Sequence, residues 1–188
     1  MIITGLDLSL TSAGLARIVL DTDASALIRI DLSRVGEDGH RGDTLEQRAG
    51  RLRRQATVVL AWALGSDLTL VEAPAYSSST GSAHDRSGLW WLVIGRLLAL
   101  GRPVIEIGNG QRAKYGSGVS GNASKDKVLS SMVRRFPDLP IDGNDVADGL
   151  AIACMGARWL GYPVDGDVPK PSLAVMADVN WPDRPVSA

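Results

Sequence analysis

Apolar residues open the chain as a compact run, IITGLDL, interrupted by a single charge at Asp7. A polar turn, SLTSAG, leads into a second apolar run, AGLARIVL, and residues 25 to 32 form a third. Their close spacing, with no helical pattern between them, predicts three strands in an antiparallel meander. Beyond Gly42 the apolar period lengthens: Leu45, Leu52, Ala56, Val59, Leu60 and Ala63 fall on one side of a helix ending near Leu64. Asp43, followed three residues later by Glu46, reads as its start box.

LTLVEA, residues 68 to 73, reads as a short strand stopped by Pro74. A polar stretch then precedes LWWLVIGRLLALG, a helix apolar on nearly every side, which therefore needs cover on more than one face. PVIEI is a further strand, NGQRAKYGSGVSGNAS a glycine-rich basic loop, and KDKVLSSMVRRF a helix capped by Ser124. The last clear helix runs from about Asn144 to Leu160. The pattern predicts an α/β fold over residues 1–160: a five-stranded mixed sheet, three antiparallel strands and then parallel ones, flanked by helices. Residues 161–188 are proline-rich, show no helical period and read as a tail.

A chain of 188 residues with 45% hydrophobic and 22% charged positions is the size and composition of one ordinary α/β domain. No apolar stretch is long enough to span a bilayer, and MIITGLDLSL lacks the basic region and cleavage site of a signal peptide. The single cysteine, Cys154, can neither form an internal disulfide nor belong to a thiolate cluster, so a reducing cytoplasm is expected. A net charge of -1 excludes a strongly basic domain and leaves only local basic surfaces. These gather at Arg48, Arg51, Arg53 and Arg54, around Arg112 and Lys114, and at Lys125, Lys127, Arg134 and Arg135.

Four acids change the picture. Asp145 and Asp148, three apart in NDVADGLAIA, share one face of the last helix, although two acids at a helix start also merely complement the dipole. Asp7 and Glu72, by contrast, end strands that are otherwise apolar. A carboxylate beside a core is costly without a cation, and no Arg or Lys neighbours either in sequence. Divalent Mg²⁺, with Mn²⁺ as a substitute, takes oxygen ligands and would resolve that cost. Two such ions can activate water on one side of a phosphodiester and stabilise the leaving oxygen on the other.

With these residues in order, the chain resembles the RuvC family of Holliday junction resolvases, within the RNase H-like superfamily. GLDLSLTSAGLA resembles the family's first strand with its catalytic Asp, LTLVEAP the strand carrying the Glu, and DVADGLAIA the final helix with two Asp residues. GLWWLVIGRLLALGRPVIEI resembles the helix and strand before the family's basic loop. The resemblance implies that Asp7, Glu72, Asp145 and Asp148 bind two Mg²⁺ ions, with Asp7 bridging them, in a homodimer that nicks branched DNA. It also points to a lysine in GNASKDKV: either Lys125 or Lys127 would neutralise charge on the phosphate, with Lys127 preferred. Arg112 and Lys114 are expected to grip DNA phosphates, with Arg53 and Arg54 as further contacts. Tyr76 stands slightly late for the family's junction-wedging aromatic, and the near-neutral charge and the tail also depart from the pattern. Trp90 and Trp91 are candidates for the dimer surface.

GSGVSG has the spacing of a dinucleotide-binding loop but lacks the tight strand-to-helix turn that motif needs. His40 and His84 stand alone in polar segments and read as surface residues. An ATP-binding kinase or ATPase of the actin-like type would also place an Asp before a Ser/Thr/Gly turn, but it needs two domains closing on the nucleotide. A catalytically inactive DNA-binding scaffold would have no physical need for four clustered acids.

Overall fold

The computed structural model describes residues 1–74, 83–121 and 123–183. Three antiparallel strands, β1 (Ile2–Asp7), β2 (Ala13–Asp21) and β3 (Ala26–Val35), open the chain, and α1 (Leu45–Ala63) follows. Then β4 (Leu68–Glu72), α2 (Ala83–Ala99) and β5 (Val104–Ile107) alternate. Four further helices complete the α-helical set: α3 (Asn109–Ser117), α4 (Lys125–Arg135), α5 (Asn144–Trp159) and α6 (Lys170–Ala174), with a 3₁₀ turn at Val175–Asp178. The five strands form one sheet in the order β3-β2-β1-β4-β5, antiparallel from β3 to β1 and parallel from β1 to β5, as the pattern predicted.

Period-two alternation assigns the two faces. Ile3 of β1, with Leu68 and Leu70 of β4, packs with α3, α4 and α5 in one core. Leu6 and Val71 point the other way, into a second core with Val59 of α1 and Leu89, Val93 and Leu97 of α2. Asp7 and Glu72 follow the alternation of Ile3 and Leu70, so both side chains emerge on the α5 face. The pairing of Leu6 with Val71 then sets the two acids side by side at the ends of adjacent parallel strands.

Three glycines bring α5 onto that face. A Cβ on Gly5 would overlap the Gly149 carbonyl, and one on Gly14 would overlap the Asp145 carbonyl. A Cβ on Gly149 would come within 2.7 Å of the Gly14 oxygen. Side-chain-free backbone on both surfaces therefore lets the first turns of α5 lie directly against β1 and β2.

Several local expectations are corrected. The start of α1 is one residue later than read: Thr44 caps it, its hydroxyl accepting from Gln47 N (3.2 Å) while Gln47 Oε1 accepts from Thr44 N (2.8 Å). Asp43 instead accepts from His40 N and pairs with Arg51 at 3.2 Å. Six residues ahead of the expected start, α2 begins at Ala83. The supposed glycine-rich loop is largely α3, because Gly116 serves close helix packing, where a Cβ would meet Val128 at 2.7 Å. Only Gly118, at φ 73°, ends that helix, its N–H donating to Lys114 O. Ser124 does precede α4, without a side-chain cap bond.

Residues 161–183 lie along the body. Asp165 is fully buried and accepts from Tyr115 Oη (2.8 Å), Arg158 (2.6 Å) and Arg135 (3.3 Å). Ser172 donates to the Tyr115 carbonyl, and Trp181 stacks on Trp159 with ring centroids 5.1 Å apart.

Candidate active site

The ends of β1 and β4, the first turns of α5 and the middle of α3 meet at one point. Asp148 is completely buried, Glu72 nearly so, and Asp7 and Asp145 are half-buried. A cavity of about 270 Å³ opens over them, lined by Asp7, Glu72, Asp145, Arg112, Lys125 and Trp90 among others. Trp90 Nε1 donates to the Glu72 carbonyl at 3.0 Å and fixes the end of β4. On the other side, Gln55 of α1 donates to the Ser9 carbonyl at 2.6 Å and holds the turn after Asp7.

Arg112 occupies the centre. Its Nη2 donates to Glu72 Oε1 at 2.9 Å and its Nη1 to Asp148 Oδ1 at 2.8 Å, while the side chain is only 4% exposed. Burial opposes its charge, but the carboxylates of Glu72 and Asp148 more than compensate and raise its pKa further. The expectation that Arg112 grips phosphate from a surface loop is thereby corrected: α3 carries it inward as the counter-ion of the acids. No sequence neighbourhood announced this pairing, since 40 residues separate Arg112 from Glu72.

The acids differ in state. Burial raises the Asp7 carboxyl well above the ordinary range, and the charge of Glu72 and a hydrogen bond between the two carboxyls add to it, against the pull of Arg112. Burial likewise pushes Asp148 up to about 7 in spite of Arg112. Asp145, nearer the opening, is held differently: Ser12 Oγ donates to its Oδ2 at 2.6 Å, and Lys125 Nζ stands 3.9 Å from its Oδ1. Ser12 was not singled out by sequence, although its place in the turn beside Asp7 was.

Among the predicted lysines, Lys125 reaches the cavity. Lys127, two residues further along α4, is exposed and does not line it, because two helical positions lie about 200° apart around the axis. Of the two lysines, Lys125 and not the preferred Lys127 is the one beside Asp145. Lys114 is exposed on α3. Arg53 and Arg54 line a separate depression of mixed sign with Glu37 and Glu46, and Arg54 is paired with Glu37 at 3.0 Å. Tyr76 lies outside the described residues. Trp90 is core, whereas its edge-to-face neighbour Trp91 is 64% exposed.

The donor set suits a hard divalent cation: carboxylate oxygens converge, and Asp148 Oδ2 is buried without a hydrogen-bond partner. As the side chains lie, no three acidic, His or Cys groups among the described residues stand together at metal-ligand spacing, and Arg112 lies between Glu72 and Asp148. Among the described residues no helix is long and apolar enough to cross a membrane.

No protein-family model matches the sequence, and no curated protein matches it. Solved structures do. Thermus thermophilus RuvC in complex with Holliday junction substrate superposes with a TM-score of 0.58 at 19% identity, covering 95% of this chain and 98% of that one. The yeast mitochondrial Holliday junction resolvase Ydc2 matches with a TM-score of 0.55 at 10% identity, covering 94% and 80% of the two chains. Fowlpox virus resolvase in complex with Holliday junction DNA gives 0.50 at 13%, covering 85% and 99%. With its strand order and near-complete coverage by these structures, the chain has the RNase H-like fold of the RuvC-type Holliday junction resolvases.

Proposed function

We propose that this chain is a metal-dependent endodeoxyribonuclease that nicks Holliday junctions and related branched DNA. The observation that carries the reading is the meeting of Asp7, Glu72 and Asp145 at one cavity, with Asp148 buried behind it on Arg112 and Lys125 at its edge, in a fold shared with junction resolvases. Asp7, Glu72, Asp145 and the buried, unpartnered oxygen of Asp148 would hold Mg²⁺, or Mn²⁺ in its place. Bound there, the metal supplies Lewis-acid activation of water and stabilisation of the departing oxygen.

The chain's own residues prepare that chemistry. Ser12 orients Asp145 so that its other oxygen faces Lys125. Lys125 offers a mobile ammonium, 62% exposed at the side chain, to the phosphate that enters the cavity. Arg112 keeps Glu72 and Asp148 aligned before any ligand arrives. Trp90 closes the cavity floor and limits water behind Glu72. Hydrolysis by this route would leave a 5′-phosphate and a 3′-hydroxyl.

Lys114, exposed on α3, is a DNA contact in this reading, and Arg53 is a secondary one. A homodimer would pair the nicks on opposite strands; the exposed apolar residues Trp91, Leu92 and Leu98 of α2 support that arrangement. Labelled four-way, forked and linear DNA, incubated with the protein and Mg²⁺, tests the reading. Cleavage of the four-way substrate, lost in Asp7→Asn, is expected; absence of cleavage on every substrate, or full activity in Asp7→Asn, refutes it.

A further inference from the structure

We propose that a second cavity, on the α1 side of the candidate active site, seats a backbone phosphate flanking the scissile one on Arg41, Arg48 and Arg86. The proposal rests on the nuclease reading and names where its DNA substrate is held.

This cavity, of about 570 Å³, lies between the turn after β1, the loop from β3 to α1, and the starts of α1 and α2. Ser9 and Arg86 line both it and the 270 Å³ cavity over Asp7, Glu72 and Asp145, so the two adjoin. Its walls are fixed. Arg51 is buried and donates to Asp43 at 3.2 Å and to Asp85 at 3.3 Å, while Arg48 Nε donates to Asp85 at 3.0 Å. Gly39 closes over Arg51, where a Cβ would come within 1.6 Å of Nη1. Glu37 N donates to Leu10 O at 3.0 Å and ties the loop to the turn after β1.

The balance of charge then sets the ligand. Both acids lining this cavity are engaged by arginines, and the hydrogen bond from Arg48 holds the Asp85 carboxyl below its ordinary range. Arg41, Arg48 and Arg51 against Asp43 and Asp85 leave one positive charge in excess before Arg86 is counted. Arg41 is exposed, and Arg48 keeps 38% of its side chain open despite its bonds to Asp85. Planar guanidinium forks match phosphate oxygens, which accept two parallel N–H bonds. An adjoining depression, which shares Arg51 and Asp43, has the opposite balance, with four acids against three arginines. A DNA strand whose scissile phosphate lies at Lys125 is therefore drawn past Ser9 toward Arg41 in preference to Arg53.

Fluorescence anisotropy of a labelled four-way junction, in EDTA and across a salt series, measures this seat apart from cleavage. Arg41→Gln and Arg86→Gln should each raise Kd about fivefold near ~0.15 M salt and make the slope of log K against log salt shallower by about one. Arg41→Lys keeps the charge and should keep the slope. Arg102→Gln, an equal loss of charge at the opposite end of the sheet, should change neither. Single uncharged methylphosphonates placed along the strand beside the cut should include one that weakens binding to the unmodified protein and not to Arg41→Gln. If Arg86→Gln does not fold, Arg41→Gln decides. Unchanged affinity and slope in either folded variant, an equal change in Arg102→Gln, or methylphosphonates that weaken both proteins alike at every position, each overturns the seat. Junction cleavage by the unmodified protein then leaves the nuclease reading standing. The expected shifts without any cleavage in Mg²⁺ support the seat and refute the nuclease reading, and failure to bind DNA overturns both.

Discussion

Replacing Asp148 by Asn should stabilise the metal-free protein while abolishing cleavage. The Asp148 side chain is 1% exposed, its Oδ1 accepts from Arg112 and its Oδ2 has no partner. Burial pushes its pKa from the ordinary 3.8 to about 7. The folded state thus prefers the protonated form more strongly than the unfolded chain does. The resulting stabilisation is complete below pH 3.8 and is lost as the pH rises through about 7. A shift of this size corresponds to about 4 kcal/mol at roughly 1.4 kcal/mol per pKa unit.

Asn carries no such ionisation cost, although its amide N–H brings a buried donor worth ~1–3 kcal/mol if unsatisfied. The net gain for Asp148→Asn at about pH 8 is therefore ~2 kcal/mol, or ~4–8 °C in Tm for a chain of this length. At about pH 5 the ionisation cost falls to ~1–2 kcal/mol, and the amide cancels it. Calorimetric melting in EDTA at the two pH values checks both numbers. A Tm for Asp148→Asn equal to or below that of the unmodified protein at the higher pH would falsify the electrostatic account, as would the same difference at both.

Asp165→Ala leaves Arg135 and Arg158 facing a buried void and should cost ~3–5 kcal/mol, measured by urea unfolding. Gly14→Ala drives a methyl into the Asp145 carbonyl; stability should fall by ~1–3 kcal/mol or more, and cleavage should drop further than in a core variant of equal stability. Ser12→Ala removes the bond that orients Asp145, so the Mn²⁺ dissociation constant should rise about tenfold with Tm nearly unchanged; unaltered affinity would show that Asp145 needs no orienting. Trp91→Glu places a charge on the exposed α2 face and should yield a monomer in sedimentation; an unchanged oligomer would locate the contact elsewhere.

The sheet was legible because its signals are local. Apolar runs separated by short polar turns give β1 to β3, and an acid at the end of each of two such runs gives Asp7 and Glu72. The spacing of Asp145 and Asp148 needed only helical period. What escaped was set by distant contacts. Glycines at 110, 116 and 118 made α3 read as a loop, yet the first two are inside the helix and only Gly118 ends it. Because α3 was not seen, neither was the inward course of Arg112. Lys125 and Lys127 are equivalent in sequence, and only the seating of α4 distinguishes them. The proline-rich segment after Gly161 carries no periodic signal, but Asp165 ties it to Tyr115, Arg135 and Arg158, and Ser172 ties it to the Tyr115 carbonyl.

Gathering the acids is costly: burial first, and their mutual repulsion after it, raise Asp7 and Asp148. Their meeting must be imposed from outside the site. Backbone-to-backbone packing at Gly5, Gly14 and Gly149 does this for α5, and Leu6 against Val71 does it for the two strands. Arg112 then offsets part of the repulsion without closing the cavity. Packing of this kind resists relaxation, since α5 can retreat only by opening the buried core behind Leu150 and Ile152. The same rigidity that makes the ionised acids costly keeps Asp7 and Glu72 side by side and Asp148 against Arg112. On the nuclease reading, a change at Asp7 or Asp148 should therefore raise stability and lower metal affinity, whereas a change at Gly5, Gly14 or Gly149 should lower both.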